Sequence, residues 1–423
     1  MSVVKITGLW LILASLAVPQ DLPPEVLLLA RFKAHMRAEL SSLPNYTCLE
    51  TISRFHRNAG QSALNPLDNV RLEIIYSDHK EWYGSPGDSN LGSGSPASFV
   101  GSGLIGSGAF ASALNIILGG ARFVYQGQEA FGDRTAVKYD FQFSRQPNTF
   151  SISMVGGSGT VGQKGSLWVD PQSLDIIRLE TNADEIPPYL PLAAESTVVN
   201  YARAQIGDHN ALLAQQGDMH LVTSAGTESY DHIEFTHCRA FSTESAINFG
   251  TEPATETPAS AAIPQAPATS QFVPALLMVT VRLNTPVSST DAVGKLIEGK
   301  VAGEIHYKGK VIISDRARVT GRIRRLEHYQ GKTGKEKSDF IVGLEFTEVE
   351  AVGGRRPFYA DLLKMDLASN IKPTLSEEVT AGEVKVTLPE LPGVASFFVS
   401  GAAFTIPAGF KTVWRTRGPI RGK

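Results

Sequence analysis

The chain has 423 residues, 42% of them hydrophobic, and a formal net charge of −3, the make-up of a soluble globular protein long enough for two domains. The charge is uneven: residues 276–423 carry 23 Lys and Arg against 16 Asp and Glu, and residues 1–275 carry 16 against 26. No basic run is interleaved with aromatics, which excludes a nucleic-acid binder and leaves the second half as a solvated surface or one that meets an anionic partner.

Residues 1–20 read as an export signal. Lys5 supplies the positive start, Ile6 to Val18 an apolar stretch of 13 residues, and Ser15, Leu16 and Ala17 a small-x-small cleavage site. Thirteen residues fall short of the roughly 20 that span a bilayer, so a chain that has lost its signal is not an integral membrane protein. The uncharged run Leu391 to Phe410 is broken by Pro392, Pro407 and three glycines, and reads as two strands.

A helix is predicted over Glu25 to Leu43, with Leu29, Phe32, Met36, Leu40 and Leu43 at three- and four-residue spacing between Pro24 and Pro44. Strands follow over Thr47 to His56, Val70 to Tyr76 and Glu81 to Tyr83. Residues 84–108 are dominated by Gly and Ser, and a second short helix is expected over Phe110 to Leu118. The Gly101, Gly103, Gly106 spacing matches the dinucleotide fingerprint formally, but no strand precedes it. Arg122 to Gln126, Thr135 to Phe143 and Phe150 to Val155 lead to the clearest hairpin, Gly165 to Glu180. Its first arm sets Leu167 and Val169 against Trp168, and its second sets Ile177 and Leu179 against Arg178 and Glu180. Asp170 and Pro171 form the turn. Glu195 to Ile206, Ala211 to Val222 and Glu228 to Arg239 complete an antiparallel meander.

Cys48 and Cys238 are the two cysteines. In an exported chain a disulfide from the first strand of the meander to the last leads over a metal ligand or a nucleophile, for which His237 alone is too little company. Gly250 to Pro274, rich in Pro, Ala and Thr, reads as a linker. Beyond it Leu276 to Leu283, Leu296 to Val301, Lys310 to Ile313, Arg318 to Arg325, Phe340 to Glu348 and Pro357 to Leu362 alternate as strands.

The expected fold class is mainly β with a few helices. It comprises a curved antiparallel half-barrel sheet covered by helices (21–249), a linker (250–274), a small β-barrel domain (275–417) and a tail (418–423). No nucleophile elbow, zinc-helix motif or phosphate loop occurs, and the nine His residues, His232 and His237 among them, are scattered. The residues therefore point to no enzyme and no cofactor or metal.

Phe123 to Tyr139, with Gly132, Asp133 and Arg134 at its turn, followed by Leu167 to Pro171 and Arg178 to Glu180, resembles the outer-membrane lipoprotein-sorting carriers over about residues 120–205. That resemblance implies a strongly curved sheet with an acyl-chain-sized concavity closed by helices, and no catalysis. Asn284 to Gly294, Tyr307 to Ile313 and Ala317 to Arg322 are similar to the β-barrel subunit of conjugation and type IV secretion channels. The start Leu43 to Cys48 is also shared with a group of secreted bacterial proteins, a resemblance that names no function. The resulting expectation is a periplasmic or secreted protein that binds a lipid-like or other apolar ligand and docks to an envelope protein partner. Its cavity and lid would be built from Trp82, Tyr83, Leu104, Phe110, Leu114 and Trp168. A structural module without ligand is the alternative, and an enzyme of unrecognised type the third.

Overall fold

The computed structural model describes residues 22–419 except 79, 88–98, 101–109, 133, 148, 155–156, 242–271, 332–333, 367–369, 374–377, 382–383 and 388–390. The expected signal, most of the linker and most of the Gly/Ser stretch, with its dinucleotide-like glycines, lie outside the described residues.

Two helices, α1 (Pro24–Ser42) and α2 (Phe110–Gly120), accompany eleven strands in the first part of the chain. These are β1 (Tyr46–Arg57), β2 (Asn65–Ser77), β3 (Lys80–Gly84), β4 (Arg122–Phe131), β5 (Arg134–Phe143), β6 (Phe150–Met154), β7 (Gly157–Val169), β8 (Ile176–Asp184), β9 (Leu192–Ile206), β10 (His209–Thr223) and β11 (Glu228–Ala240). Pro24 opens α1, where its missing N–H costs nothing, and Leu43 leaves helical geometry ahead of Pro44.

The eleven strands form one curled antiparallel sheet in the order β3-β2-β1-β11-β10-β9-β8-β7-β5-β4, with β6 beside β7. The meander is local except where β11 returns to β1, and there Cys48 and Cys238 are bonded, with Cα atoms 4.1 Å apart. The β1–β11 register shifts at this point, and His237 takes a left-handed φ of 52° to absorb the extra residue.

In the hairpin, Asp170 behaves as the turn chemistry predicts, its Oδ1 accepting from the N–H groups of Gln172 (2.9 Å) and Ser173 (3.2 Å). Gly165 is required in β7, because a Cβ there would lie 1.8 Å from the carbonyl oxygen of Glu180. Leu167, Val169 and Leu179 share the concave face, and Trp168 faces the other way with Ala136. Ile177 departs from the expected alternation. A register shift between Trp168 and Val169 places Ile176 on the concave face and turns Ile177 to the Trp168 side.

One row of cross-strand partners traces that concave face: Tyr139, Leu167, Leu179, Val199, Gly217, Ile233, Ile52 and Val70. The helices cover only its first half. Phe32 and Met36 of α1 and Leu114, Ile117 and Leu118 of α2 pack on Val137, Tyr139, Leu167 and Leu179.

The second half is covered by the C-terminal part of the chain. Strands Met278–Leu283, Leu296–Val301, Arg318–Gly331, Gly334–Ala351 and Lys411–Thr416 form a second antiparallel sheet. It closes into a small barrel because Gly354–Pro357 pairs with Gly334–Ala351 while Ala360–Met365 pairs with Lys411–Thr416. Ile52, Val70, Leu72 and Ile233 share one apolar cluster with barrel residues such as Val281, Ile323 and Phe346. The short β3 leaves part of β2 unpaired. Val293 fills that edge, donating to the Asn69 carbonyl (2.8 Å) and accepting from the Arg71 N–H (3.0 Å).

Candidate functional site

Between α1, α2 and the sheet remains a void of about 30 Å³, lined by Met36 and Leu40 of α1, Leu43 just after it, Leu114 of α2 and sheet residues including Tyr46, Cys48 and Tyr201. That is room for a water, not for a chain of methylenes. A larger occupant has to displace a helix. Polar contacts also hold α1: the Tyr139 hydroxyl donates to the Glu25 carbonyl (2.8 Å), His35 Nε2 lies 3.0 Å from Asp175 Oδ1, and Arg203 bonds both Asp175 (2.6 Å) and Glu39 (3.3 Å). Burial alone would raise the Asp175 carboxyl, but hydrogen bonds from Arg203 and His35 outweigh it and leave the group below its ordinary value.

The wall of the void along β1 is not wholly apolar. Alternation puts Tyr46, Cys48, Glu50 and Ile52 on one face. Glu50 is fully buried, neither of its carboxyl oxygens has a hydrogen-bond partner among the described residues, and its cross-strand neighbours are Leu72 and Phe235. Burial drives its pKa well above the ordinary value, reinforced by the charges of Glu81 and Asp231. Glu81, on β3, is pushed up to about 7 by burial, against the hydrogen bond that Tyr83 donates to it at 2.8 Å. The Tyr201 hydroxyl is also buried with no partner among the described residues, and burial, then Tyr46 and Glu81, raise its pKa.

A raised carboxyl keeps a proton that the unfolded chain sheds, so Glu50 subtracts stability progressively as pH rises above about 4.5, the ordinary glutamate value. Glu50→Gln is therefore expected to stabilise the fold by about 1–3 kcal/mol at pH 7–8 and by little at pH 4. Urea unfolding of both forms across that range checks it; an advantage that shrinks with rising pH contradicts the burial argument.

The expected cavity residues do not form one group. Leu114 lines the void. Tyr83 is buried among the residues shared with the barrel, and Trp82, half-buried, alternates to the opposite side of β3. Trp168 is on the convex side, 6% exposed, its ring faced by Lys138 Nζ at 4.9 Å. Phe110 begins α2 with its side chain outside the described residues, as is all of Leu104. Sequence reasoning missed Tyr46, Glu50, Glu81 and Tyr201. The signal available for Glu50 was an acid in phase with Cys48 and Ile52 on a half-buried strand. Among the described residues no group of three or more His, Cys, Asp and Glu side chains is placed to hold a metal ion, and no helix is long and apolar enough to cross a membrane.

No family model matches the chain, and no curated protein matches it. Among solved structures it is similar to an outer membrane lipoprotein-sorting protein domain from Vibrio parahaemolyticus (14% identity over 49% of this chain and 90% of that one, TM-score 0.27). A LolA superfamily protein from Nitrosomonas europaea follows (12%, 50% and 94%, TM-score 0.24), and MucB aligns over 88% of this chain and 92% of its own at 12% identity and TM-score 0.17. None of these three is a conjugation-channel protein. At these scores the fold assignment stands on the sheet topology, and function on the site itself.

Proposed function

We propose that this is a non-enzymatic, exported envelope protein that takes a lipid-like or apolar ligand between the helices and the concave sheet. Residues 1–20 serve as its signal, and the barrel of 275–417 meets an envelope partner. The observation that carries the ligand reading is the covering of half the concave face by two helices that interact with it mainly through Phe32, Met36, Leu114, Ile117 and Leu118. Such contacts are non-directional and can be exchanged for acyl chains at little cost. The bonded Cys48 and Cys238 support an oxidising compartment, and the basic balance of residues 276–423 suits an anionic partner surface.

A purely structural module is the second reading, favoured by the small size of the void. Lipid analysis of the protein purified natively from an envelope fraction separates the two. Co-purifying lipid in near-stoichiometric amount is expected; lipid-free protein that also fails to bind dodecanol, dodecylamine or dodecanoate overturns the ligand reading.

A further inference from the structure

The void beneath α1 is lined by apolar groups and the two tyrosines Tyr46 and Tyr201, with no Lys or Arg among them. Glu50 and Glu81 are outside that lining but on the same sheet face beside it: Glu50 is in phase with Cys48 on β1, and Glu81 and Tyr46 are both cross-strand partners of Tyr76. Cys48, two positions before Glu50 on β1, and Phe235, its cross-strand partner, both line the void. Tyr46 and Tyr201 line it too, and Tyr83 stands beside Ile74, a further lining residue. The nearest cation along β1, Arg54, is committed to Asp68 at 2.6 Å. Two groups have no hydrogen-bond partner among the described residues: the fully buried Glu50 carboxyl, and the buried hydroxyl of Tyr201 on β9. An orphan acid in an apolar site is costly and calls for a counter-group. Carboxylates ringed by tyrosine faces are the complement of an ammonium, through charge-assisted hydrogen bonds and cation–π attraction.

We propose that the site recognises an ammonium group carried on an apolar chain: Glu50 and Glu81 receive the charge, Tyr46, Tyr83 and Tyr201 surround it, and the chain runs under α1 and α2. This rests on the ligand reading above and adds the headgroup to it. A carboxylate or phosphate in the same place would meet like charge, so the site discriminates against anionic amphiphiles. Asp231 on β11, the cross-strand partner of Arg54, adds to the same field.

The test is calorimetric titration of the intact protein, below micelle concentrations, with dodecylamine, dodecanol and dodecanoate. Dodecylamine is expected to bind at least about tenfold more tightly than dodecanol, with dodecanoate weakest. Glu50→Gln should bring the amine to the affinity of the alcohol. Glu81→Gln and Tyr201→Phe should each weaken the amine alone, and they keep the test open if the first variant fails to fold. Equal binding of all three probes overturns the ammonium proposal while leaving the ligand reading intact. Failure of all three to bind overturns both.

Discussion

Asp68→Ala is expected to cost about 3–5 kcal/mol of folding stability, read by urea unfolding. Asp68 and Arg54 are each 1% exposed at the seam between sheet and barrel, joined by two hydrogen bonds of 2.7 and 2.6 Å. Burial alone would deprotonate the guanidinium more readily, but Asp68 outweighs it, so Arg54 stays charged. Without Asp68 that charge remains in the buried seam, offset less completely by Asp231 and Glu327, the latter on the barrel strand Arg318–Gly331. Truncating Asp184, whose pair with Lys164 is solvated on the Lys164 side, is the contrast and should cost less than about 1 kcal/mol. Equal losses for the two variants would show that the seam is wet.

Replacing Cys48 and Cys238 together by Ser should cost about 2–5 kcal/mol. The bond joins strands separated by 190 positions in the chain, so its loss frees the unfolded ensemble across the whole meander. It also leaves β1–β11, where the first and last of the eleven strands meet, to hydrogen bonds and side-chain packing alone. Denaturation with and without reductant checks the same point on the native chain. A midpoint unchanged by reduction would mean that the β1–β11 register holds without its clamp.

The α1 stripe, the alternation of β1, β2, β5, β9, β10 and β11, and the Asp170 turn were all legible because each is set by neighbours a few residues away. Helix and strand periods are local, and Asp170 bonds to its own turn. Even the pairing of Cys48 with Cys238 followed from compartment and number, since only one partner existed. Glu50 was half-legible: its phase on β1 was readable, but whether a partner would meet it across the sheet was not.

Three features belonged to the tertiary structure alone. Ile177 changes faces because the β7–β8 register shifts, and a shift depends on both strands at once. The void is small because α1 and α2 fill the concavity, a matter of how separate elements fit. The barrel covers the second half of the concave face because β3 stops short and exposes the edge of β2 to Val293, more than 200 residues away in sequence. By itself the sequence determined which segments are strands and helices and which residues each sets on one face. Which face is concave, what lies over it, and which acid is left there without a counter-charge were decided by long-range packing, because burial and charge pairing are properties of groups that the chain brings together only on folding.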